Sequence, residues 1–302
     1  MSVPNSRTAA AQRHAMAESL RGYWLQAESY QKFLSYVGAL LVASAVFHFV
    51  VLLVTRGSWA GPVSWRKPIL FGEAFGLTAC SIAWFMTFLP KRPVAGWVLS
   101  IALGIANFGE VLWVSIQQWR GAASHFNNST PFDAAAFAAA GFLILFAAVV
   151  ILIVTLASFS SLSAPPSLSW AIRAGLLLLL TSQVLGLLMI NNDGPVFGSA
   201  GSMKLPHAFA LHAAQVLPAL AWLMLFSAWN EPRQTRAVMI GTVGYAGVVG
   251  VSTRQALVGL ALFDVGGLPA CVLAFGALAL VGSYAAAILA LFHAAGEVQR
   301  VR

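Results

Sequence analysis

The sequence predicts an all-α, multi-pass membrane protein with eight transmembrane helices in a bundle. Three observations predict it. Of the 302 residues, 59% are hydrophobic and only 9% are charged, where a soluble domain carries about 25% charged residues. Eight apolar runs each approach or exceed the roughly 20 residues needed to cross a ~30 Å hydrocarbon core. The breaks between them carry turn chemistry rather than linker composition.

The first 32 residues are polar and lack the short apolar core and small-residue cleavage site of a signal peptide. Leu20, Tyr23, Trp24, Ala27 and Tyr30 recur there at helical spacing, which reads as an amphipathic helix lying on the membrane surface. The apolar runs follow at 33–54, 68–89, 94–118, 134–158, 168–190, 206–229, 237–263 and 269–293. Between several of them stand Pro90 and Pro93, Pro165 and Pro166, Asn191 to Pro195, and Asn230 to Pro232. Residues 1–32 and 296–302 are thus expected as cytoplasmic tails around a 33–295 membrane domain.

Lys and Arg accumulate on the cytoplasmic side of membrane proteins. With the N-terminus inside, eleven basic residues fall on the inner side and five on the outer, Arg254 being within the seventh run. Both termini are therefore expected in the cytoplasm and the chain in the cell membrane. The net charge of +8 sits at loop edges, where it orients helices and meets lipid headgroups, so nucleic acid is excluded as a partner. The bilayer is the expected partner, with a small-molecule substrate or cofactor and an oligomer or partner subunit as further expectations.

Short matches recur at a nearly constant offset. Gly61-Pro62-Val63 precedes the second run and Gly194-Pro195-Val196 precedes the sixth. Lys67-Pro68 with Phe71 corresponds to Lys204, Pro206 and Phe209, and Gly104 with Ala106 to Gly244 with Ala246. This pattern fits two parallel four-helix repeats, 33–160 and 168–295, related by an axis along the membrane normal.

The functional signal is polar residues at membrane depth. The stretch 103–128 carries Asn107, Glu110 and Gln117 within about 80° of one another on a helix, then reaches Arg120 and His125. A charged side chain in the hydrocarbon costs about 2.5–3.5 kcal/mol on the mildest scale, so such a stripe must face protein or water. Placed by a 1.5 Å rise per residue, His48, Glu73, Glu110, Gln183, His212 and Arg254 all fall roughly 6–8 Å outward of the bilayer centre.

Two chemistries suit that layer. The first is an outward-facing pocket holding a metal ion or b-type haem in a membrane enzyme or redox protein. His48, His212, His207, Glu73 and Glu110 would supply metal ligands, with His48 and His212 as axial haem ligands. Arg66 and Lys67 would meet propionates, and Glu110, Glu73 and Arg254 would carry catalysis. His207 and His212 diverge by about 140° on a straight helix, so they converge only if the first turn unwinds. The alternative is a proton-coupled small-solute transporter, since Glu, His and Arg at depth are what proton relays use. A structural subunit, using the same groups as interhelical contacts, is the third reading. The glycines of Gly198 to Gly201 are expected to form a mobile flap or to let backbone approach a ligand.

Overall fold

The computed structural model describes residues 9–296, and within them the chain forms nine α-helices and one short β-ribbon. The helices are α1 (Ala9–Gln26), α2 (Ser29–Thr55), α3 (Arg66–Phe85), α4 (Pro93–Trp119), α5 (Pro131–Ser161), α6 (Pro166–Asn191), α7 (Lys204–Met224), α8 (Glu231–Leu257) and α9 (Gly267–Gly296). Arg7, Arg300, Arg302 and the tail expected after residue 296 lie outside the described residues.

Seven helices, α2 to α7 and α9, are long and apolar enough to cross a membrane. The eight predicted runs correspond one to one with α2–α9, but α8 does not reach the apolar content of the others. Its 27 residues include Arg233, Arg236 and Arg254 and a high share of Gly and Thr. Helix α1 also ends earlier than its apolar spacing suggests. Glu28 caps α2, its backbone N–H donating to the Gln31 side chain at 2.7 Å, so Ala27 falls in the break and Tyr30 belongs to α2. Lys91 pairs with Glu28 at 2.6 Å, and that carboxylate holds the lysine ammonium above its ordinary pKa.

The chain divides into two compact units. Among the described residues, one comprises residues 27–157 and the other residues 9–26 with 158–296. In the 27–157 unit, α2 and α3 pack most extensively and α4 touches both. Small residues let the first two come together. A Cβ at Gly76 would stand 2.7 Å from the Gly38 carbonyl, and one at Gly72 would stand 2.8 Å from that of Leu41. The backbones touch there, which is what a GxxxG pattern permits in lipid. Leu34, Leu41, Ile82, Phe85, Leu103 and Val114 fill the core beneath.

In the other unit α6 packs on α7, and α8 lies against both. Here Gly175 faces the backbone of Ala213 and Ala214. Its α9 packs along α8, and α1 lies on α9 through Gln12, whose side chain donates to the Leu291 carbonyl at 2.8 Å. The loop after α6 forms the ribbon, Val196 pairing with Ser202 and Phe197 with Gly201. Gly198, at φ 59°, packs on Gly259, and Ala200 N–H donates to the Gly259 carbonyl at 3.0 Å, so the close approach is backbone on backbone.

Candidate functional site

Helix α4 builds the site in the 27–157 unit. Its polar stripe is buried as its spacing implies: Asn107, Glu110 and Gln117 are each at most 1% exposed. Asn107 Nδ2 donates to the Phe75 carbonyl of α3 at 3.2 Å, pinning the two helices. After Trp119 the chain turns back on its own helix. Ala122 N–H donates to the Gln117 carbonyl, and Trp113 Nε1 donates to the Ser124 carbonyl at 3.1 Å. This fold-back delivers His125 to Glu110.

Glu110 is fully buried, and its Oε1 stands 3.1 Å from His125 Nε2. The contact is an ion-pair approach rather than an aligned hydrogen bond, and Oε2 has no hydrogen-bond partner among the described residues. His125 is 23% exposed where Glu110 is 1% exposed, so the imidazole links the carboxyl to the surface. Phe71, Phe126 and Phe137 surround the imidazole at ring-centroid distances of 5.1, 6.3 and 5.9 Å. On its other edge, Nδ1 lies 2.9 Å from Ser124 Oγ, and Lys67 Nζ donates to that oxygen at 3.4 Å.

A lysine ammonium only donates, so Ser124 Oγ accepts from Lys67 and keeps its own hydrogen and a second lone pair for Nδ1. The hydroxyl can donate to a neutral imidazole or accept from a cationic one, so Ser124 supports both charge states.

A second polar group closes the same end. Gln117 Nε2 donates to Asp133 Oδ1 at 2.8 Å, and Arg120 donates to the same oxygen at 3.1 Å. Thr130 and Asp133 cap α5 reciprocally: the Thr130 hydroxyl donates to Oδ2, and Asp133 N–H donates back to it. Thr130-Pro-Phe-Asp133 is the sequence signature of that cap, with proline in the first turn. It was the available sign that Asp133 belongs to the site.

The expected site residues separate. Lys67 joins the Glu110 centre through Ser124, while Glu73 and Arg66 are half-buried on α3. His48 is buried, but both ring nitrogens are engaged: Nδ1 bonds the Ser44 carbonyl at 2.8 Å and Nε2 accepts from Trp119 Nε1 at 3.2 Å. Trp65 packs edge-on against Trp119. His207 and His212 belong to the other unit, where His207 Nδ1 bonds the Ser182 carbonyl at 2.8 Å. Arg254 also lies in that unit. It is exposed rather than carried inward, because it sits in the last turn of α8 and donates to Gln255 at 2.6 Å. Among the described residues, no three His, Cys, Asp or Glu side chains group so as to hold a metal ion. Depth along a helix places residues in one layer but leaves their azimuth open, and azimuth separates these groups. Comparison with known protein families, curated proteins and solved structures gives no match, so the site is read from its own chemistry.

Proposed function

We propose that this chain is a proton-coupled carrier of small solutes in the cell membrane, with Glu110 and His125 as its proton-exchange pair. The observation that supports it is a fully buried carboxyl with a partly exposed imidazole 3.1 Å away. Burying a lone carboxylate costs several kcal/mol. A single proton shared between Glu110 and His125 relieves this, because the pair is neutral as carboxylate with imidazolium or as acid with imidazole. The 3.1 Å separation is within reach for proton transfer once the imidazole N–H turns into line with the carboxyl. Loss of that proton leaves a buried negative charge, and this is the driving force that would couple protonation to helix movement or solute binding.

The fine architecture that goes with this reading has eight spans, with α8 as the seventh, and both termini cytoplasmic. A helix of 27 residues is about 40 Å long, enough for the hydrocarbon core. The dyad then stands near the outer face. Two related halves are supported by paired contacts. Gly38 against Gly76 has its counterpart in Gly175 against Ala214, and Asn107 bonding the Phe75 carbonyl has its counterpart in Tyr245 bonding that of Phe209.

The metal or haem reading has less to rest on. His48 has no unengaged ring nitrogen in this arrangement, and the described histidines and carboxylates form no ligand group of three. The proposal is tested on full-length protein in proteoliposomes by pH-difference infrared spectroscopy. One component of the acid-induced carboxylic C=O signal should be missing in Glu110→Gln. Identical difference spectra for both proteins would overturn the dyad. A screen of small solutes for proton uptake into the vesicles, abolished by the same variant, tests the carrier itself.

A further inference from the structure

A groove of about 630 Å³ runs along the 27–157 unit between α2 and α4, apart from the Glu110 centre. Leu40, Leu41 and Phe47 form one wall, and Phe108, Leu112 and Ile116 the other. Both helices are long and apolar enough to cross a membrane, so the medium around the groove is hydrocarbon. Its α4 wall, from Phe108 to Arg120, is about 18 Å long at 1.5 Å per residue. That length suits one extended acyl chain.

Only one end is polar. His48, Trp119 and Arg120 stand there, and two of the three are occupied by each other: Trp119 Nε1 donates to His48 Nε2. Arg120 differs. Its side chain is 42% exposed and one guanidinium nitrogen serves Gln117 and Asp133, while a guanidinium carries five N–H donors. Donors therefore remain at the mouth of the groove. The loops that follow α2 and α4 are also basic by sequence, residues 55–67 and 119–133 holding Arg56, Arg66, Lys67 and Arg120 against Asp133 alone.

We propose that the α2–α4 groove is a binding site for one anionic phospholipid, its acyl chain between Leu40 and Leu112 and its phosphate at Arg120. Shape selects the chain and charge selects the headgroup. A zwitterionic lipid fills the same groove but brings a cation to a basic mouth, so it binds more weakly. The site is independent of the proton reading, because no residue of the Glu110–His125 pair lines the groove.

The test is native mass spectrometry of the full chain released from micelles doped with equimolar phosphatidylglycerol and phosphatidylcholine of identical chains. Wild type should retain one phosphatidylglycerol with about tenfold preference, the equivalent of about 1.4 kcal/mol. Ser115→Trp, which places an indole inside the groove, should abolish retention of both lipids. Arg120→Gln should lower phosphatidylglycerol to the phosphatidylcholine level. Val243→Trp, on an exposed position of α8, serves as the control and should bind as wild type does. Equal retention of the two lipids by wild type, or phosphatidylglycerol retention unchanged by Ser115→Trp, overturns the proposal.

Discussion

Gln117 Nε2 donates to Asp133 Oδ1 at 2.8 Å, and this bond ties the last turn of α4 to the first turn of α5. Few backbone positions of these two helices approach closely, so side chains carry the connection: Trp113 on Phe132, Leu143 against Gly109, and Gln117 on Asp133. Gln117 is fully buried and also donates to the Ala123 carbonyl. It therefore holds both the fold-back loop and α5.

Gln117→Ala is expected to destabilise the protein by about 2–4 kcal/mol, through the cavity it leaves and the acceptors it strands. Thermal unfolding in detergent measures this. The variant should also loosen the 120–130 loop, which protease nicking near Gly121 would report. A melting temperature and nicking rate equal to wild type would show that α5 is held by other means.

Gly76→Leu tests the helix crossing at the opposite side of the unit. A Cβ at this position already stands 2.7 Å from the Gly38 carbonyl, so the larger side chain must push α2 away. Overpacking of this kind costs about 1–3 kcal/mol, and here the displaced atom is backbone, which places the effect at the upper end. Gly61→Ala changes a glycine with open space around it but with φ at 93°. Its cost should be the smaller conformational one. Reversal of that order, measured by thermal unfolding, would mean that α2 and α3 do not cross at Gly38.

The contrast between these two regions explains how much the sequence discloses. The α4 stripe is legible because burial in a lipid-embedded helix follows a 3.6-residue period, so Asn107, Glu110 and Gln117 announce a shared face. Likewise, proline and Asn230 mark helix starts, and Asn230 does accept from Arg233 N–H at α8. The partner of Glu110 is not legible. His125 reaches it only because residues 120–124 fold back onto α4, a path set by backbone bonds to Gln117 and by Trp113 holding the Ser124 carbonyl. Layer depth likewise grouped His48 with Glu110, though His48 turns to Trp119 and Glu110 to His125. A one-dimensional depth carries no azimuth. The apolar run 237–263 puts Arg254 near mid-membrane, whereas α8 stops at Leu257 and leaves it at the helix end.

His48→Phe should separate a packing histidine from a proton-handling one. Phe keeps the ring volume beside Trp65 and Trp119 but removes the acceptor of the Trp119 N–H. The tryptophan emission spectrum should shift, with a stability loss of about 1–3 kcal/mol for the two hydrogen bonds to Ser44 and Trp119. The acid-induced carboxyl band of Glu110 should be unchanged. Loss of that band in His48→Phe would place His48 on the proton path and remove the separation drawn between the two sites.

The last expectation concerns the route by which a proton reaches Glu110. His125 bridges a 1% exposed carboxyl and a Ser124 hydroxyl held by Lys67. His125→Phe fills the same aromatic enclosure of Phe71, Phe126 and Phe137 but has no titratable nitrogen. Glu110 then has no base to share its proton with, and the neutral acid is the form that avoids a lone buried charge. Proton exchange at Glu110 should therefore slow by about tenfold or more in His125→Phe, since a positioned acid–base group contributes about 10²–10⁴ to transfer. Ser124→Ala leaves Glu110 and His125 in contact but removes the hydroxyl that adapts to both imidazole states. It should slow exchange by a smaller factor and leave the band position alone. Time-resolved infrared spectroscopy after a pH jump distinguishes the two variants. If His125→Phe exchanges as fast as wild type, protons enter at Oε2 from the opposite side, and the 3.1 Å contact serves only to fix the loop.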